Sequence, residues 1–433
     1  MLRRLSRNLQ PLLRRRGMAS SPLAWSELEL AAAAVPPRSA PDRAAGAASC
    51  SQALVRTFGQ PEAAAARVVL FRDNHAWCPY CEKVWLWLEL SRVPYTVRKV
   101  TMRCYLGPGQ AKEPWFTALV PSGMLPALQL DGALVTESDV ILAKLEAAFG
   151  PLAGQRLAAP EVLPLRRLER ELFRAWCEWL CYPSGGAAER EAFLAVARRV
   201  AAALEASPGP FFLGDAPGTA DVAFVPYLER MMASLFYYKG LDVRAAFPPV
   251  ARFFAALEAL PAYAGMLSDF HTHAHDLPPQ MGGCYASGDA AQRAAAALVD
   301  SGPFEAVPDT AAPEPPGASL EAVGRVAAFR GALARVNPDA AAAPGRFDAA
   351  LRCALTALVA GGPPPAPPAG CAAGLRYVRD RINVPRDMSL WAARRLRAAL
   401  EATAALDAPA PSPFAAVATE HRRDQDPRPF RRE

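Results

Sequence analysis

The segment that most constrains the fold is Cys78-Pro79-Tyr80-Cys81, which stands between an apolar run and a helical pattern. The run Val68-Val69-Leu70-Phe71 predicts a short strand, and a helix is expected to begin at Cys78. A thiol in the first helical turn faces unpaired backbone N–H groups and the positive end of the helix dipole, and both stabilise the thiolate. Cys81 lies on the same helical face, so its sulfur can attack a mixed disulfide formed at Cys78. The segment therefore predicts thiol–disulfide chemistry.

Zinc binding is the alternative use of two cysteines at this spacing. A structural zinc site of this kind needs a second pair, and no second Cys-x-x-Cys occurs in the chain, so we predict no metal. The nine cysteines show no framework of regular spacings, and their odd number in a long chain without a secretory signal indicates a reducing compartment.

The elements that follow the motif give the order β-α-β and then β-β-α. Residues 94–100 predict a second strand and residues 125–130 a third, and Asp131-Gly132 makes a tight turn into a strand at 133–135. Thr136-Glu137-Ser138-Asp139 then opens another helix with polar groups placed to cap it.

The chain divides into five parts by composition and periodicity. We predict a transit peptide and disordered linker at 1–66, an α/β domain at 67–150, an all-helical domain at 165–285, a helical extension with Pro-rich linkers at 286–408 and a disordered tail at 409–433. Within the extension, residues 377–388 are the part least dominated by alanine, and we interpret them as a strap that docks on the rest of the protein, followed by a basic helix from Ser389.

The net charge of +6 comes from the amino-terminal end. Six of the 48 basic residues precede the first acidic residue, Glu27, which leaves 42 basic side chains against 42 acidic ones. This balance argues against a nucleic-acid partner. The first stretch is rich in arginine and free of acids, which predicts an organelle transit peptide, with a disordered basic tail as the alternative. No apolar run approaches the roughly 20 residues of a membrane span.

Trp77-Cys78-Pro79-Tyr80-Cys81 resembles the site of glutaredoxins. The longer pattern, with Met124-Leu125-Pro126-Ala127-Leu128, Asp131-Gly132 and Glu137-Ser138, resembles the N-terminal domain of glutathione transferases. Cysteine-type members of the omega, lambda and dehydroascorbate reductase classes share this arrangement. With both cysteines and a long extension, the chain most resembles the iota class of photosynthetic organisms. The resemblance covers about residues 67–275.

The resemblance implies a fold and a location. It implies an α/β thioredoxin-like N-terminal domain and an all-α transferase domain, and the chain adds a mostly helical C-terminal extension. It implies that the thioredoxin-like domain binds glutathione, that two subunits can pair as a homodimer, and that the transit peptide directs the protein to the plastid rather than the mitochondrion.

The resemblance also assigns roles to residues near the thiols. Cys78 is the implied nucleophile, and Tyr80 flanks the glutathione thiol. Leu125, which precedes an expected cis-Pro126, offers its backbone N–H and C=O groups to the cysteinyl part of glutathione. Cys81 makes dithiol reduction available as well.

Three further residues are implied to hold the two ends of glutathione. Glu137 and Ser138 bind the γ-glutamyl end of glutathione. The Glu137 carboxylate pairs with the ligand's ammonium group, and the Ser138 hydroxyl at the helix N-terminus binds the ligand's carboxylate. Lys112 reaches the glycyl carboxylate. The alternative interpretation is structural, with Glu137 and Ser138 only capping their helix and Leu125 belonging to the core.

The implied function is a glutathione-dependent thiol transferase or reductase that acts through the Cys78 thiolate. Glutathione is the co-substrate, and the second substrate is a small electrophile or a mixed disulfide such as a glutathionylated thiol, or dehydroascorbate. The alternative is a non-catalytic binding module of the same fold, or a protein in which Cys78 and glutathione hold an iron–sulfur cluster.

Two other groups of residues attract attention in the sequence. Cys177 and Cys181 lie four residues apart and could line an electrophile pocket, but we favour buried structural thiols. His271-Thr272-His273-Ala274-His275 resembles a metal-binding tract, yet the sequence places no acidic or cysteine partner beside it. We therefore expect a solvated loop there.

Overall fold

The computed structural model describes residues 21–102, 104 and 112–410. The first 20 residues, which carry most of the predicted transit peptide, lie outside the described residues, and so does the predicted tail from 411 onward.

The first part of the described chain builds an α/β domain preceded by two short helices. Its elements, in chain order, are α1 (Trp25–Ala32), α2 (Ala40–Ala45), β1 (Val55–Arg56), α3 (Glu62–Ala65), β2 (Val68–Asp73), α4 (Pro79–Leu90), β3 (Tyr95–Val100), α5 (Pro114–Leu119), β4 (Ala127–Leu130), β5 (Ala133–Thr136) and α6 (Ser138–Phe149). The predicted strands and helices of this domain are present, and β1 is an addition.

The sheet has the strand order β1-β3-β2-β4-β5 and is mixed. Strand β2 pairs with β3 in parallel and with β4 antiparallel, so the carboxyl end of β2 lies in the middle of the sheet. Alternation along β2 and β4 divides the core between the two faces. Leu70 and Leu128 lie in the main core with α4 and α6, whereas Phe71 and Ala127 pack with Phe116 of α5.

The rest of the described chain is helical. The second domain contains α7 (Val162–Leu180), α8 (Ala187–Glu205), α9 (Thr219–Lys239), α10 (Val243–Ala246), α11 (Pro248–Glu258), α12 (Pro261–Ala264) and α13 (Phe270–Met281). The extension contains α14 (Ala290–Ser301), α15 (Ala318–Val336), α16 (Pro338–Ala342), α17 (Pro344–Ala360), α18 (Ala372–Arg379) and α19 (Leu390–Asp407). Among the residues that the structure describes, no helix is long and apolar enough to cross a membrane.

The segment between α18 and α19 lies against the first two domains. Ser51 Oγ donates to the Pro385 carbonyl at 2.8 Å, and Ser268 Oγ donates to the Val384 carbonyl at 2.7 Å. The Val384 N–H donates to Thr272 Oγ1 at 3.0 Å. Within the predicted strap of residues 377–388, Val384 and Pro385 therefore dock on the rest of the protein, whereas residues 377–379 belong to α18. Helix α19 begins after the strap with Ser389 as its N-cap, as the sequence predicts.

The prediction of a disordered linker up to residue 66 is wrong for residues 21–66. Leu28 and Ala31 of α1 are fully buried, and α1 packs against α15 and α17 of the extension. Trp25 Nε1 donates to Asp348 at 2.7 Å. Alanine suits core and surface alike, so the short apolar face of α1 carries no recognisable period until the extension covers it.

Candidate active site

The loop before the cysteine motif is held by a carboxylate at the end of β2. Asp73 Oδ2 accepts a hydrogen bond from the Trp77 N–H at 2.8 Å, which closes residues 74–77 into a compact turn. Cys78 is then the N-cap of α4 with φ −73° and ψ 115°, and Pro79 is the first residue of the helix. The Cys78 carbonyl accepts the first helical hydrogen bond from the Glu82 N–H at 3.0 Å. The sulfur-bearing residue thus stands at the helix N-terminus, as predicted.

The two cysteines of the motif differ in their environment. Cys78 is 8% exposed and Cys81 only 1%. Burial raises the pKa of the Cys81 thiol well above its ordinary value, and a hydrogen bond with Cys78 raises it further. Cys81 therefore keeps its proton at neutral pH and shares a hydrogen bond with Cys78.

Leu125, the residue implied to bind the cysteinyl part of glutathione, lies next to the two thiols. Leu125 and Met102 pack against the pair together with Trp77, and the Leu125–Pro126 peptide bond is cis. Leu125 is thus a core contact of the thiols and also the residue before the cis bond.

Lys112 lies close enough to both thiols to interact with their charge. It is 8% exposed, and burial lowers its pKa although the nearby Glu113 carboxylate opposes the change. Glu113 anchors the end of β3, since it accepts hydrogen bonds from the Thr101 N–H at 3.1 Å and from Thr101 Oγ1 at 2.8 Å. That Lys112 binds the glycyl carboxylate of glutathione stays a prediction.

Glu137 and Ser138 begin α6, on the far side of the sheet's β4–β5 hairpin. Glu137 is the N-cap residue, but its side chain makes no capping hydrogen bond. Its φ of 65° places it in a region that non-glycine residues rarely occupy, which costs conformational energy. The capping alternative therefore does not explain Glu137, whose exposed carboxylate is available to a ligand. Ser138 is buried.

An arginine from the second domain holds the loop before Cys78 and the first turn of α4. Arg230 of α9 donates to the Trp77 carbonyl at 2.7 Å and to the Glu82 carboxylate at 2.8 Å. Burial and the nearby carboxylate of Glu229 raise the pKa of Glu82 to about 8 although Arg230 opposes the shift. His273 lies against the same group, and burial, with Arg230, lowers its pKa to about 3, so it is neutral.

Comparison with known proteins agrees with this geometry. Residues 77–148 match the family model of the glutathione S-transferase N-terminal domain, and residues 187–256 match that of the C-terminal domain. The chain contains both domains of a glutathione S-transferase. These matches confirm the predicted fold class, the predicted transferase enzyme and glutathione as its co-substrate, whereas membership of the iota class stays a prediction.

Three similar proteins each cover less than half of this chain. Glutathione S-transferase DHAR2 of Arabidopsis thaliana is 26% identical over 180 residues, which are 42% of this chain and 79% of that protein. Chloroplastic glutathione S-transferase DHAR3 of the same plant is 28% identical over 173 residues, 40% of this chain and 61% of that protein. Among solved structures, Chlamydomonas reinhardtii dehydroascorbate reductase is 22% identical with a TM-score of 0.38, over 46% of this chain and 91% of that one.

The transferase has an aromatic wall beside Tyr80 that the sequence did not reveal. Tyr80 is 39% exposed and meets Tyr227 edge to face, with ring centroids 5.7 Å apart. Phe173 packs on Tyr227 at 5.2 Å, and the Arg170 guanidinium lies over both rings at 4.6 and 4.7 Å. Tyr80, Phe173 and Tyr227 come from α4, α7 and α9, so only the meeting of the two domains assembles this wall.

The prediction that the histidine tract is a solvated loop is wrong. His271, His273 and His275 lie in α13 and are buried at the interface with α9 and α14. His275 Nε2 lies 2.7 Å from an Asp300 oxygen, and Tyr237 donates to the same carboxylate at 2.8 Å. One ligand atom from each of His271, His275 and Asp300 falls within 4.8 Å of the others. Asp300 thus connects His275 of α13 and Tyr237 of α9 to α14.

Cys177 and Cys181 of the transferase are only partly buried, and they have a third partner. Cys284 follows α13, and the N–H of its neighbour Tyr285 donates to the Leu180 carbonyl at 2.9 Å, which brings the loop to the end of α7. Hydrogen bonds from Cys177 and Cys284 lower the pKa of Cys181 to about 4. No spacing in the sequence connects Cys284 to the other two cysteines.

Proposed function

We propose that this chain is a glutathione-dependent thiol transferase and reductase in which Cys78 alone carries the covalent chemistry. The observation that carries the proposal is the contrast between the two thiols. Cys78 stands at the N-terminus of α4, whereas Cys81 is buried, has a raised pKa and shares a hydrogen bond with Cys78. The thiolate is the nucleophile in disulfide exchange, so Cys78 attacks and Cys81 keeps its proton.

The reaction balances with glutathione as the only reductant. The Cys78 thiolate attacks the glutathione sulfur of a mixed disulfide, forms a Cys78–glutathione disulfide and releases the substrate as a thiolate that takes up a proton. A second glutathione thiolate attacks the glutathione sulfur of that disulfide, releases the Cys78 thiolate and leaves as glutathione disulfide. Overall, the mixed disulfide and one free glutathione give the substrate thiol and glutathione disulfide, and the free glutathione supplies both the electron pair and the proton.

The surrounding residues support binding of glutathione along the sheet edge. Leu125 lies beside the two thiols. The Glu137 carboxylate is exposed and makes no capping hydrogen bond to α6. Lys112 is a buried cation near both sulfurs and suits a carboxylate ligand. The aromatic wall of Tyr80, Phe173 and Tyr227 lies on the opposite, helical side, and it suits the apolar part of an electrophile or of a glutathionylated substrate.

The test compares single cysteine variants in glutathione-dependent reduction of a small glutathione mixed disulfide. We expect Cys78→Ser to lose at least 1,000-fold in kcat/KM and Cys81→Ser to stay within about threefold of the parent protein, because one group supplies the nucleophile. Cys353→Ser, which changes a buried thiol of α17, is the matched control and should keep full activity. Equal loss in both motif variants would show dithiol exchange, and full activity of Cys78→Ser would refute the site.

The purified protein also separates the enzyme from the cluster-binding alternative. We expect a colourless protein that is active in the disulfide assay. A brown, iron-containing protein that is inactive in this assay would favour the alternative in which Cys78 and glutathione hold an iron–sulfur cluster.

We also propose that residues 1–20 direct the protein to the plastid. They are rich in arginine and free of acids, and one similar plant protein is chloroplastic while another is cytosolic. A fluorescent protein that carries residues 1–20 at its N-terminus should enter plastids. Replacing the six arginines of residues 1–20 by glutamine should leave the fusion protein in the cytosol. Import into mitochondria instead would refute the assignment.

A further inference from the structure

The three thiols near the end of α7 include a pair that lies on two separate segments of the chain. Cys177 belongs to α7 and Cys181 is its C-cap, whereas Cys284 lies in the segment that joins α13 to α14. The Tyr285 N–H donates to the Leu180 carbonyl at 2.9 Å. Cys284 and Cys181 are the sequence neighbours of these two residues, and their side chains share a hydrogen bond. The two sulfurs are therefore in contact in the folded protein.

Backbone hydrogen bonds hold the segment that carries Cys284. Beyond the bond at Tyr285, the Ser287 N–H donates to the Tyr238 carbonyl at 2.9 Å, and Asp289 is the N-cap of α14. Residues 284–289 thus run from the end of α7 past the end of α9 to the start of α14. The contact between Cys181 and Cys284 therefore does not depend on their side chains alone.

Both thiols of the pair are accessible from solvent. Cys181 and Cys284 are partly exposed, and residues 182–184 and 285–287, which follow them, are exposed. Cys353 and Cys371 of the extension are only 1% exposed. Oxidation of a thiol requires access as well as thiolate character, so the pair differs from these two buried cysteines.

Cys181 is the thiol of the cluster that loses its proton first. Hydrogen bonds from Cys177 and Cys284 lower its pKa, and the nearby Lys239 ammonium lowers it further, although burial opposes the change. Lys239 is held in place, since its Nζ donates to the Gly185 carbonyl at 3.4 Å. The C-terminal end of a helix disfavours a negative charge, so the thiolate depends on these two donors and on Lys239.

Cys177 is the competing partner for Cys181, but the helix keeps the two apart. The Cys181 N–H donates to the Cys177 carbonyl at 2.8 Å, which is the ordinary bond of one helical turn. Cβ atoms four residues apart on a helix are about 5–6 Å from each other, whereas a disulfide needs about 3.5–4.5 Å. A disulfide between Cys177 and Cys181 would require α7 to unwind, whereas Cys284 approaches from another segment.

We propose that Cys181 and Cys284 form a redox-active pair that a hydroperoxide oxidises to a disulfide. The Cys181 thiolate attacks the terminal oxygen of the hydroperoxide, so an S–O bond forms, the O–O bond breaks and the departing oxygen takes up a proton. The Cys284 sulfur then attacks the Cys181 sulfur, and an S–S bond forms while the S–O bond breaks. The leaving hydroxide takes the Cys284 proton and departs as water.

The electrons and atoms balance with the hydroperoxide as the only oxidant. Two thiols and one molecule of hydrogen peroxide give one disulfide and two molecules of water. The disulfide joins the end of α7 to the segment that leads into the extension.

The test treats the full chain with a small molar excess of hydrogen peroxide in the absence of glutathione. The remaining thiols are blocked with iodoacetamide, and tryptic peptides are analysed by mass spectrometry at successive times. Cys181 and Cys284 lie in the tryptic peptides 175–190 and 253–293. We expect a disulfide to join these two peptides roughly 100-fold faster than Cys353 loses its thiol, because Cys353 is buried.

Single variants identify the two sulfurs, because Cys177 lies in the same peptide as Cys181. Cys181→Ser and Cys284→Ser should each lose the joined peptide. Cys177→Ser keeps a hydroxyl donor for Cys181 and should form it within about threefold of the parent rate. Cys78→Ser should also form it at the parent rate, because the proposal does not depend on the chemistry at Cys78. Thermal melting of each variant confirms that it is folded.

Two results would overturn the proposal. The first is a parent protein in which the two peptides stay separate, or join no faster than Cys353 is oxidised, and this measurement needs no variant. The second is a joined peptide that persists in folded Cys181→Ser or is absent from folded Cys78→Ser. Cys177 would then be the partner of Cys284, or Cys78 would be the thiol that the peroxide oxidises first.

Discussion

Arg230 donates a hydrogen bond to the carbonyl oxygen of Trp77 at 2.7 Å, although 153 residues separate the two along the chain. Trp77 directly precedes Cys78, so this bond fixes the backbone that presents the thiol at the head of α4. The same guanidinium bonds Glu82 one turn further on and the Pro226 carbonyl of its own helix. The helical domain therefore shapes the active-site turn of the thioredoxin-like domain directly.

Replacing Arg230 should destabilise the protein strongly. Arg230→Gln leaves the buried Glu229 carboxylate without its cation and the Trp77 carbonyl and Glu82 without their donor, which costs about 3–5 kcal/mol of unfolding free energy. Arg230→Lys should recover little of this, because an ammonium cannot reproduce the fork that reaches Trp77 and Glu82 together. Urea unfolding measures the change.

The matched control for Arg230 is Arg199→Gln, whose ion pair with Glu171 is exposed on both sides. Exposed pairs of this kind contribute about 0–1 kcal/mol. If Arg230→Gln lowers the unfolding free energy no more than Arg199→Gln does, the buried hydrogen bonds of Arg230 do not stabilise the protein as we expect.

Glu82 should make the stability depend on pH. Its pKa is about 8 in the folded state against an ordinary value of 4.5, so the folded state binds the proton more tightly than the unfolded chain. The unfolding free energy therefore falls as pH rises through this window, by at most about 1.4 kcal/mol per pH unit from this group. Urea unfolding measures the unfolding free energy at pH 5.5 and at pH 7.5. The decrease between these two pH values should be smaller for Glu82→Gln than for the parent protein, by roughly 2 kcal/mol.

Glu171→Gln is the control for that measurement, since Glu171 is exposed. It should keep the pH dependence of the parent protein. If Glu82→Gln and Glu171→Gln respond to pH alike, Glu82 is not the group that holds the proton.

Glu137→Gln should weaken glutathione binding without weakening the fold. The Glu137 side chain makes no capping hydrogen bond, so neutralising it removes only an available charge at the start of α6. We expect the Kd for glutathione, measured by calorimetry, to rise about tenfold because a charge-assisted contact with the ligand ammonium is lost. Glu161→Gln is matched to it, since Glu161 is also an exposed N-cap residue without a cap bond. The same Kd in both variants would remove Glu137 from the site.

Leu28→Ala should destabilise the protein although residue 28 lies far outside the transferase domains. Leu28 is fully buried between α1 and the extension, and truncation of such a leucine costs about 2–5 kcal/mol. Leu30→Ala is the control, because Leu30 on the same helix is 62% exposed and should change the unfolding free energy by less than about 0.5 kcal/mol. Equal effects at the two positions would mean that α1 does not belong to the folded body.

Much of the thioredoxin-like domain could be predicted because its signals are local. The strand before Cys78, the helix after it and the turn at Asp131-Gly132 depend on residues that are neighbours in the chain. The helical character of residues 165–285 could be predicted as well, and helices such as α8 and α11 lie within these bounds. The extension is helical as predicted, but its alanine-rich helices did not show which faces would cover α1.

The sequence by itself determined which residue is the candidate nucleophile, since Cys78 follows a strand and heads a helix whatever the rest of the chain does. Only the tertiary structure decided what surrounds it: the burial of Cys81, the Arg230–Trp77 bond and the aromatic wall. These contacts join residues that are far apart in the chain, and their burial and charge exist only after the helices pack. Local patterns encode elements, whereas the environment of a side chain depends on everything that folds around it.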